Sequence, residues 1–351
     1  MHTVTIKELR TLIPTIGREI TPIIQSEPGC GKTSLLHMLE EDLGDKYDYI
    51  YVDCPVKDMS DIAMTIPNHD TKTLESYVGS IFKLESDKPK VILLDEFMKS
   101  PKLLQVIFTR LMLERCVGDT PLPEGSIVFG TSNNQSDGVG DTMLAHAGNR
   151  VCILQMEKPQ VDDWLIWATD NDIHPLIRAW VHMFPRSLAS YLDDNQEDNP
   201  YIFNPKKHQL SFVSPRSLAK SSVIVSNRDT LGDKATMSAL SGTIGTSASS
   251  DMSAFLSLEK KLPKFQDILD NPDKITIPSE ISAQLMIMFQ AVDTLKTQDE
   301  LSDFMQFVNR LPSSEMQAVF FTMMVKSKKA RDIARGNKQI AKWCEENFDL
   351  F

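Results

Sequence analysis

Five short apolar runs punctuate the first part of the chain: Thr21-Pro-Ile-Ile-Gln25, Tyr49-Ile-Tyr-Val52, Val91-Ile-Leu-Leu94, Ser126-Ile-Val-Phe129 and Val151-Cys-Ile-Leu154. Short, nearly continuous apolar runs suit parallel strands buried on both faces. Between most of them the apolar positions recur at helical spacing, as from Thr33 to Leu43 and from Pro101 to Leu113. The pattern predicts a parallel sheet with helical crossovers, preceded by one amphipathic helix over Ile6 to Ile16. After Pro159 the character changes. Val161 to Thr169 and Ile173 to Phe184 read as helices, 190–210 is a polar, Pro- and Asn-rich loop, and no strong strand run follows. Ser238 to Ser250 is rich in small residues, a tight helix contact or a hinge. Residues 251–351 return to helical segments rich in Met and Phe, broken by Pro272, Pro278 and Pro312.

One stretch carries chemistry. Ser26-Glu-Pro-Gly-Cys-Gly-Lys-Thr33 follows a predicted strand and opens a predicted helix, the context a Walker A phosphate loop requires. Gly29 and Gly31 let backbone N–H groups turn toward phosphate oxygens without a Cβ in the way. The helix N-terminus adds a favourable partial charge. Lys32 is placed to reach the β- and γ-phosphates, and the Thr33 hydroxyl to bind magnesium. The nucleotide-contacting set is Glu27, Pro28, Gly29, Cys30, Gly31, Lys32, Thr33 and Ser34. Ser26 stands where the pattern has its first glycine, which predicts strain in the turn but not loss of binding. Cys30 reads as a small loop-filling side chain, with a redox switch as the alternative.

Val91-Ile-Leu-Leu-Asp-Glu-Phe97 ends a buried strand with two carboxylates at its C-terminal tip, where open α/β sheets bind ligands. Asp95 is assigned to the magnesium shell, and Glu96 to the general base that polarises the attacking water. Ser126-Ile-Val-Phe-Gly-Thr-Ser-Asn133 is a second apolar strand with a polar tip. Asn133 is placed to hold that water, with Asn134 as the neighbouring alternative. Arg150, just before the next strand, is the candidate arginine finger from a neighbouring subunit, with Arg115 and Arg110 as rivals. In Ser214-Pro-Arg216, Ser caps a helix, Pro takes its first position and Arg216 lies in its first turn. A cation there opposes the helix dipole, and an external phosphate would compensate.

Composition narrows the alternatives. The chain has 351 residues, 41% hydrophobic and 24% charged, which is a globular balance. Its 37 basic and 48 acidic residues give a net charge of −11, so nonspecific wrapping of duplex DNA is not favoured. No apolar run approaches the ~20 residues of a membrane helix. The opening residues lack a signal-peptide pattern. Five scattered cysteines form no Cys-x-x-Cys, which argues against a disulfide scaffold or zinc ribbon and for a reducing, cytoplasmic setting. Trp164 and Trp167 read as helix core, His174 and His182 as core or surface groups, and Lys326 to Lys338 as a solvated basic face. Asn134 to Gly140 is a polar loop.

Together these residues resemble the AAA+ ATPases and, within them, the MoxR-like branch. The matching pieces are Walker A at Ser26–Thr33, Walker B at Val91–Phe97, sensor 1 at Asn133, the finger region at Arg150 and sensor 2 in Ser214-Pro-Arg216. Leu113 to Pro123 also looks like the hairpin before sensor 1 in that branch, and 54–80 like its helix-2 insert. The resemblance covers about residues 15–245. It implies an α/β P-loop AAA+ core over 1–158 with a parallel sheet and flanking helices and a helical lid with sensor 2 over 159–245; residues 246–351 carry none of its motifs and read as a helical C-terminal region, a candidate partner or oligomer contact. It also implies ATP and Mg2+ as ligands and a ring, usually hexameric. The activity it implies is chaperone-like remodelling, often beside a von Willebrand factor A domain protein. The competing readings are a nucleic-acid motor or helicase loader, and a nucleotide-switched scaffold with little hydrolysis.

Overall fold

A computed structural model describes residues 2–134 and 150–347. The chain divides into two compact units, Met1–Lys158 and Pro159–Phe351. In the first, the elements run β1 (Thr3–Val4), α1 (Ile6–Ile16), β2 (Thr21–Ser26), α2 (Ser34–Leu43), β3 (Asp48–Asp53), α3 (Met59–Ile62), β4 (Ala63–Asn68), β5 (Thr73–Val78), β6 (Lys90–Asp95), α4 (Lys102–Glu114), β7 (Cys116–Val117), β8 (Thr120–Pro121), β9 (Ile127–Asn133) and β10 (Val151–Met156). Six strands form one parallel sheet in the order β1-β10-β2-β9-β6-β3. All five predicted strands are present. The reason is visible in burial: every residue of β2 and β6 is buried, and consecutive side chains feed opposite faces.

Ile23, Ile92, Leu94 and Val128 pack with Phe97, Leu104, Phe108 and Met112 on the α4 side. Their sequence neighbours Ile24, Val91, Leu93, Ile127 and Phe129 pack with Leu9, Ile13, Leu35 and Leu39 of α1 and α2. Helix α1 starts on a capping box: the Glu8 N–H donates to Thr5 Oγ1 at 3.2 Å and the Thr5 N–H to Glu8 Oε2 at 2.8 Å. Residues 54–80 hold α3 and the antiparallel hairpin β4–β5, and β7 pairs with β8 in a second short hairpin.

The second unit is helical: α5 (Val161–Asp170), α6 (Pro175–Met183), α7 (Pro215–Ser226), α8 (Arg228–Ile244), α9 (Thr246–Ser257), α10 (Phe265–Asp270), α11 (Ile281–Thr294), α12 (Gln298–Asn309), α13 (Ser314–Lys326), α14 (Lys328–Ala334) and α15 (Lys338–Glu346). Pro272, Pro278 and Pro312 fall between helices, where a missing N–H costs nothing. The small-residue stretch Ser238 to Ser250 is the junction of α8 and α9. At that junction Gly245 has φ +85°, and a Cβ would lie 2.9 Å from the Ser211 carbonyl oxygen. One apolar core draws on Trp164, Trp180 and Leu240 together with Phe289, Phe304 and Phe320, so packing is continuous across the expected 245/246 boundary. A part-buried ion pair between Arg178, itself inaccessible, and Asp293 joins α6 to α11.

Candidate active site

Because the sheet is parallel, the carboxyl ends of β2, β6 and β9 share one edge. The phosphate loop leaves β2 there. Gly29 and Gly31 take φ +78° and +95°, conformations that side chains with a Cβ rarely adopt. Ser26 corrects an expectation. It is not among the positive-φ residues, and it continues β2 as ordinary strand, so no strain arises there. Instead it helps to hold the lysine. Lys32 Nζ donates to the Ser26 carbonyl oxygen at 2.9 Å, Ser26 Oγ at 3.1 Å and the Glu27 carbonyl oxygen at 3.2 Å. It also donates to Asn133 Oδ1 at 3.1 Å, tying the loop to the tip of β9.

The acidic tip of β6 meets the same loop. Thr33 Oγ1 donates to Asp95 Oδ2 at 3.2 Å, and the Tyr51 hydroxyl reaches the same oxygen at 2.9 Å. Burial and this bond to Asp95 push the Tyr51 phenol well above its ordinary pKa. Thr131 donates to Asp95 Oδ1, and its Oγ accepts the Glu96 N–H at 3.1 Å. Glu96 itself sits in the left-handed region, φ +51°, and its Oε2 accepts from Lys99 Nζ at 2.8 Å. A hydroxyl and a carboxylate in contact are hard oxygen donors, a small set that suits Mg2+ when phosphates and water complete the shell. Among the described residues, no group of three or more His, Cys, Asp or Glu side chains is arranged to hold a metal.

The structure thus brings Lys32, Thr33, Asp95 and Asn133 together, with Glu96 beside them. Asn134 lies next to Asn133 but receives the Gln155 side-chain amide at 3.0 Å. Glu27 is buried and pairs with Lys158 at 3.7 Å, both side chains nearly inaccessible. Pro28 is in the turn of the loop and Ser34 opens α2.

Arg150 is exposed and immediately precedes β10, whose Val151 pairs with Thr21 at the start of β2. That is the far end of the sheet, roughly 17 Å from its own phosphate loop at the rise of a parallel strand. Both rivals are committed within the chain. Arg115 donates to the backbone oxygens of Arg18, Gly17 and Met112 and to Thr21 Oγ1. Arg110 pairs with Glu114 at 2.7 Å and Asp119 at 3.4 Å. Arg216 belongs to the second unit. It is exposed in the first turn of α7, which Ser214 caps by accepting the Ser217 N–H at 3.1 Å. The expected polar loop beyond Asn134, and the segment leading into Arg150, lie outside the described residues.

Cys30 is buried against the loop, and desolvation raises its thiol to about 11 despite Lys158 and Lys32 nearby. A redox role does not follow from such a group. Burial thus keeps the thiol protonated near neutral pH. Iodoacetamide should therefore label Cys30 in the folded protein far more slowly than after unfolding, as peptide mass spectrometry can measure; equal rates would contradict its burial. His174 is likewise structural. Its Nδ1 accepts the Leu176 N–H at 3.2 Å at the start of α6, and burial followed by Arg228 lowers its pKa to about 4.

Sequence reasoning missed Thr131, Tyr51 and Lys99. Only Thr131 left a signal: it lies two residues before Asn133 on one strand, hence on the same face.

Residues 23–120 match the viral superfamily 1 RNA helicase core domain, a span that holds both the phosphate loop and the acidic strand. No curated protein matches the chain. Among solved structures, the Thermotoga maritima RuvB Holliday junction branch migration motor is similar at 14% identity, covering 87% of this chain and 86% of that one, with a TM-score of 0.36. A mutant of the same RuvB gives 14% identity over 77% and 75%, with a TM-score of 0.38. NtrX from Brucella abortus gives 13% over 97% and 68%, with a TM-score of 0.33. These superpositions are loose. The strand–loop–helix with its held lysine, and the acidic tip beside it, give the first unit the arrangement of a P-loop nucleotide-binding fold.

Proposed function

We propose that this chain is an ATP-hydrolysing ring motor of the MoxR-like AAA+ kind, remodelling a protein partner. The observation that carries the hydrolytic part is the convergence of Lys32, Asn133, Thr33 and Asp95 at one sheet edge. In this reading the backbone from Glu27 to Ser34 and the Lys32 ammonium hold the phosphates. Thr33 and Asp95 would hold Mg2+, which would supply charge neutralisation for the bound phosphates. Glu96 takes the proton of the attacking water, and Asn133 orients that water. The resemblance assigns Arg216 the sensor 2 role and 159–245 the part of a lid. Residues 246–351 serve partner or oligomer contact, and a von Willebrand factor A domain protein is a candidate partner of the ring. The setting is cytoplasmic.

The position of Arg150 supports a ring, in this reading the six-fold one usual for this branch, because an arginine at the far end of the sheet is out of reach of its own phosphate loop.

A mixing experiment tests this. Arg150→Ala and Glu96→Gln subunits, each inactive alone, should recover part of the turnover when combined. Some interfaces then pair an intact Glu96 with a neighbour's intact Arg150. No recovery, with activity independent of protein concentration, would contradict the ring.

The helicase-domain match favours a second reading, an RNA motor. The net charge of −11 weighs against it, since phosphate neutralisation needs dense Lys and Arg. Turnover stimulated by single-stranded RNA would decide for that reading.

A further inference from the structure

We infer that Thr131 is a positioning residue for the hydrolytic step: its one hydroxyl sets both the metal-holding carboxylate and the backbone of the general base. The inference rests on the reading of Asp95 and Glu96 given above. Thr131 lies on β9, fully buried, beside the tip of β6. Its hydroxyl uses both of its capacities. It donates its proton to Asp95 Oδ1 and accepts the N–H of Glu96 at 3.1 Å.

Two physical consequences follow. The first concerns Asp95. The terminal torsion of an Asp side chain is broad and roughly two-fold, so a carboxylate needs contacts on both oxygens to hold one plane. Thr33 and Tyr51 both address Oδ2. Thr131 addresses Oδ1 and so fixes the torsion. The second concerns Glu96. A glutamate at φ +51° and ψ +34° occupies a region that side chains with a Cβ visit infrequently. The turn is held at both ends of the residue: its carbonyl accepts the Lys99 N–H at 2.8 Å, and its N–H has Thr131 as partner. The direction in which the Glu96 side chain leaves the strand therefore depends in part on the same hydroxyl that orients Asp95. Tyr51 is a weaker support, since it is half exposed and shares an oxygen with Thr33.

The chemistry distinguishes this role from packing. Serine keeps a hydroxyl that donates and accepts but removes a methyl group. Valine keeps the shape and can do neither. A packing role predicts that Thr131→Val is well tolerated and Thr131→Ser is the damaging change. A positioning role predicts the reverse.

The experiment is a steady-state ATPase assay with MgCl2 titrated at fixed ATP, on wild type and on Thr131→Val, Thr131→Ala and Thr131→Ser. Glu96→Gln serves as the marker for the base. Affinity for a fluorescent ATP analogue in EDTA is measured in parallel and reports that the loop is folded. Removing an outer hydrogen bond to a metal-ligating carboxylate typically costs 10–100-fold in metal affinity or activity. The Val and Ala variants should therefore raise the Mg2+ half-saturation and lower kcat by about that factor, while affinity in EDTA is kept. The Ser variant should stay within a few-fold of wild type on both. Wild-type kcat and Mg2+ dependence in Thr131→Val or Thr131→Ala, with Glu96→Gln inactive, would overturn this inference alone. So would a Ser variant as damaged as the Val variant. No turnover by wild type, or full turnover by Glu96→Gln, would overturn the reading of the site itself and this inference with it.

Discussion

Lys32→Ala should lose nucleotide binding. The ammonium is buried within the loop and makes four hydrogen bonds, to both oxygens of Ser26, to the Glu27 carbonyl and to Asn133. It is thus already held within the loop, and little side-chain freedom remains to be lost on binding. Truncating one partner of a buried, hydrogen-bonded charge pair costs about 2–5 kcal/mol. That corresponds to roughly 30- to 5,000-fold weaker binding. The same substitution also cuts the link from the loop to the tip of β9, so Asn133 should lose its place. Titration of a fluorescent ATP analogue with Mg2+ measures the effect. Wild-type affinity in the variant would move the phosphate site elsewhere in the chain.

Glu96→Gln should retain ATP and hydrolyse it about 10²–10⁴-fold more slowly, the usual cost of losing a general base. The amide preserves the shape of the side chain and cannot take a proton. Its backbone is held by the Thr131 contact, which the substitution does not touch. What changes beside the reaction itself is the ion pair with Lys99, exposed enough to contribute little to stability. Binding and turnover should therefore separate in this variant. Single-turnover phosphate release, measured beside nucleotide affinity, reads both. Wild-type release would assign the base to another group.

How much of this was legible beforehand follows from how each element is stabilised. The strands β2, β3, β6, β9 and β10 are each about six residues long, and all but the edge strand β3 lie inside the sheet, so they can be read from nearly continuous apolar runs. The two-residue strands β1, β7 and β8 carry no period of their own. Of these only the β7–β8 segment was expected, and that from resemblance rather than pattern. The β4–β5 hairpin mixes Met64, Ile66, Leu74 and Tyr77, all exposed, with polar neighbours, so burial imposes no alternation to read. At the site, Lys32, Thr33, Asp95 and Asn133 were legible because a strand–loop–helix and an acidic strand tip leave local marks. The strain expected at Ser26 was a rule about glycine applied where the backbone simply stays extended. The contacts of Tyr51 and Thr131 with Asp95 depend on which strands become neighbours. β3 and β9 flank β6 only through crossovers, and no local pattern announces that order. The commitment of Arg115 to three backbone carbonyls is of the same kind. Its spacing fits an arginine finger, and only the fold shows it spent on its own chain.

The central claim is that the edge formed by β2, β6 and β9 hydrolyses ATP with Mg2+. Multiple-turnover phosphate release from ATP tests it most directly, on the full chain with and without Mg2+, beside Glu96→Gln. The account predicts many turnovers per chain with Mg2+, loss of turnover in EDTA, and loss of turnover in the variant while ATP stays bound. A wild-type chain that binds ATP and releases at most one phosphate, or a Glu96→Gln chain that turns over at the wild-type rate, would contradict it.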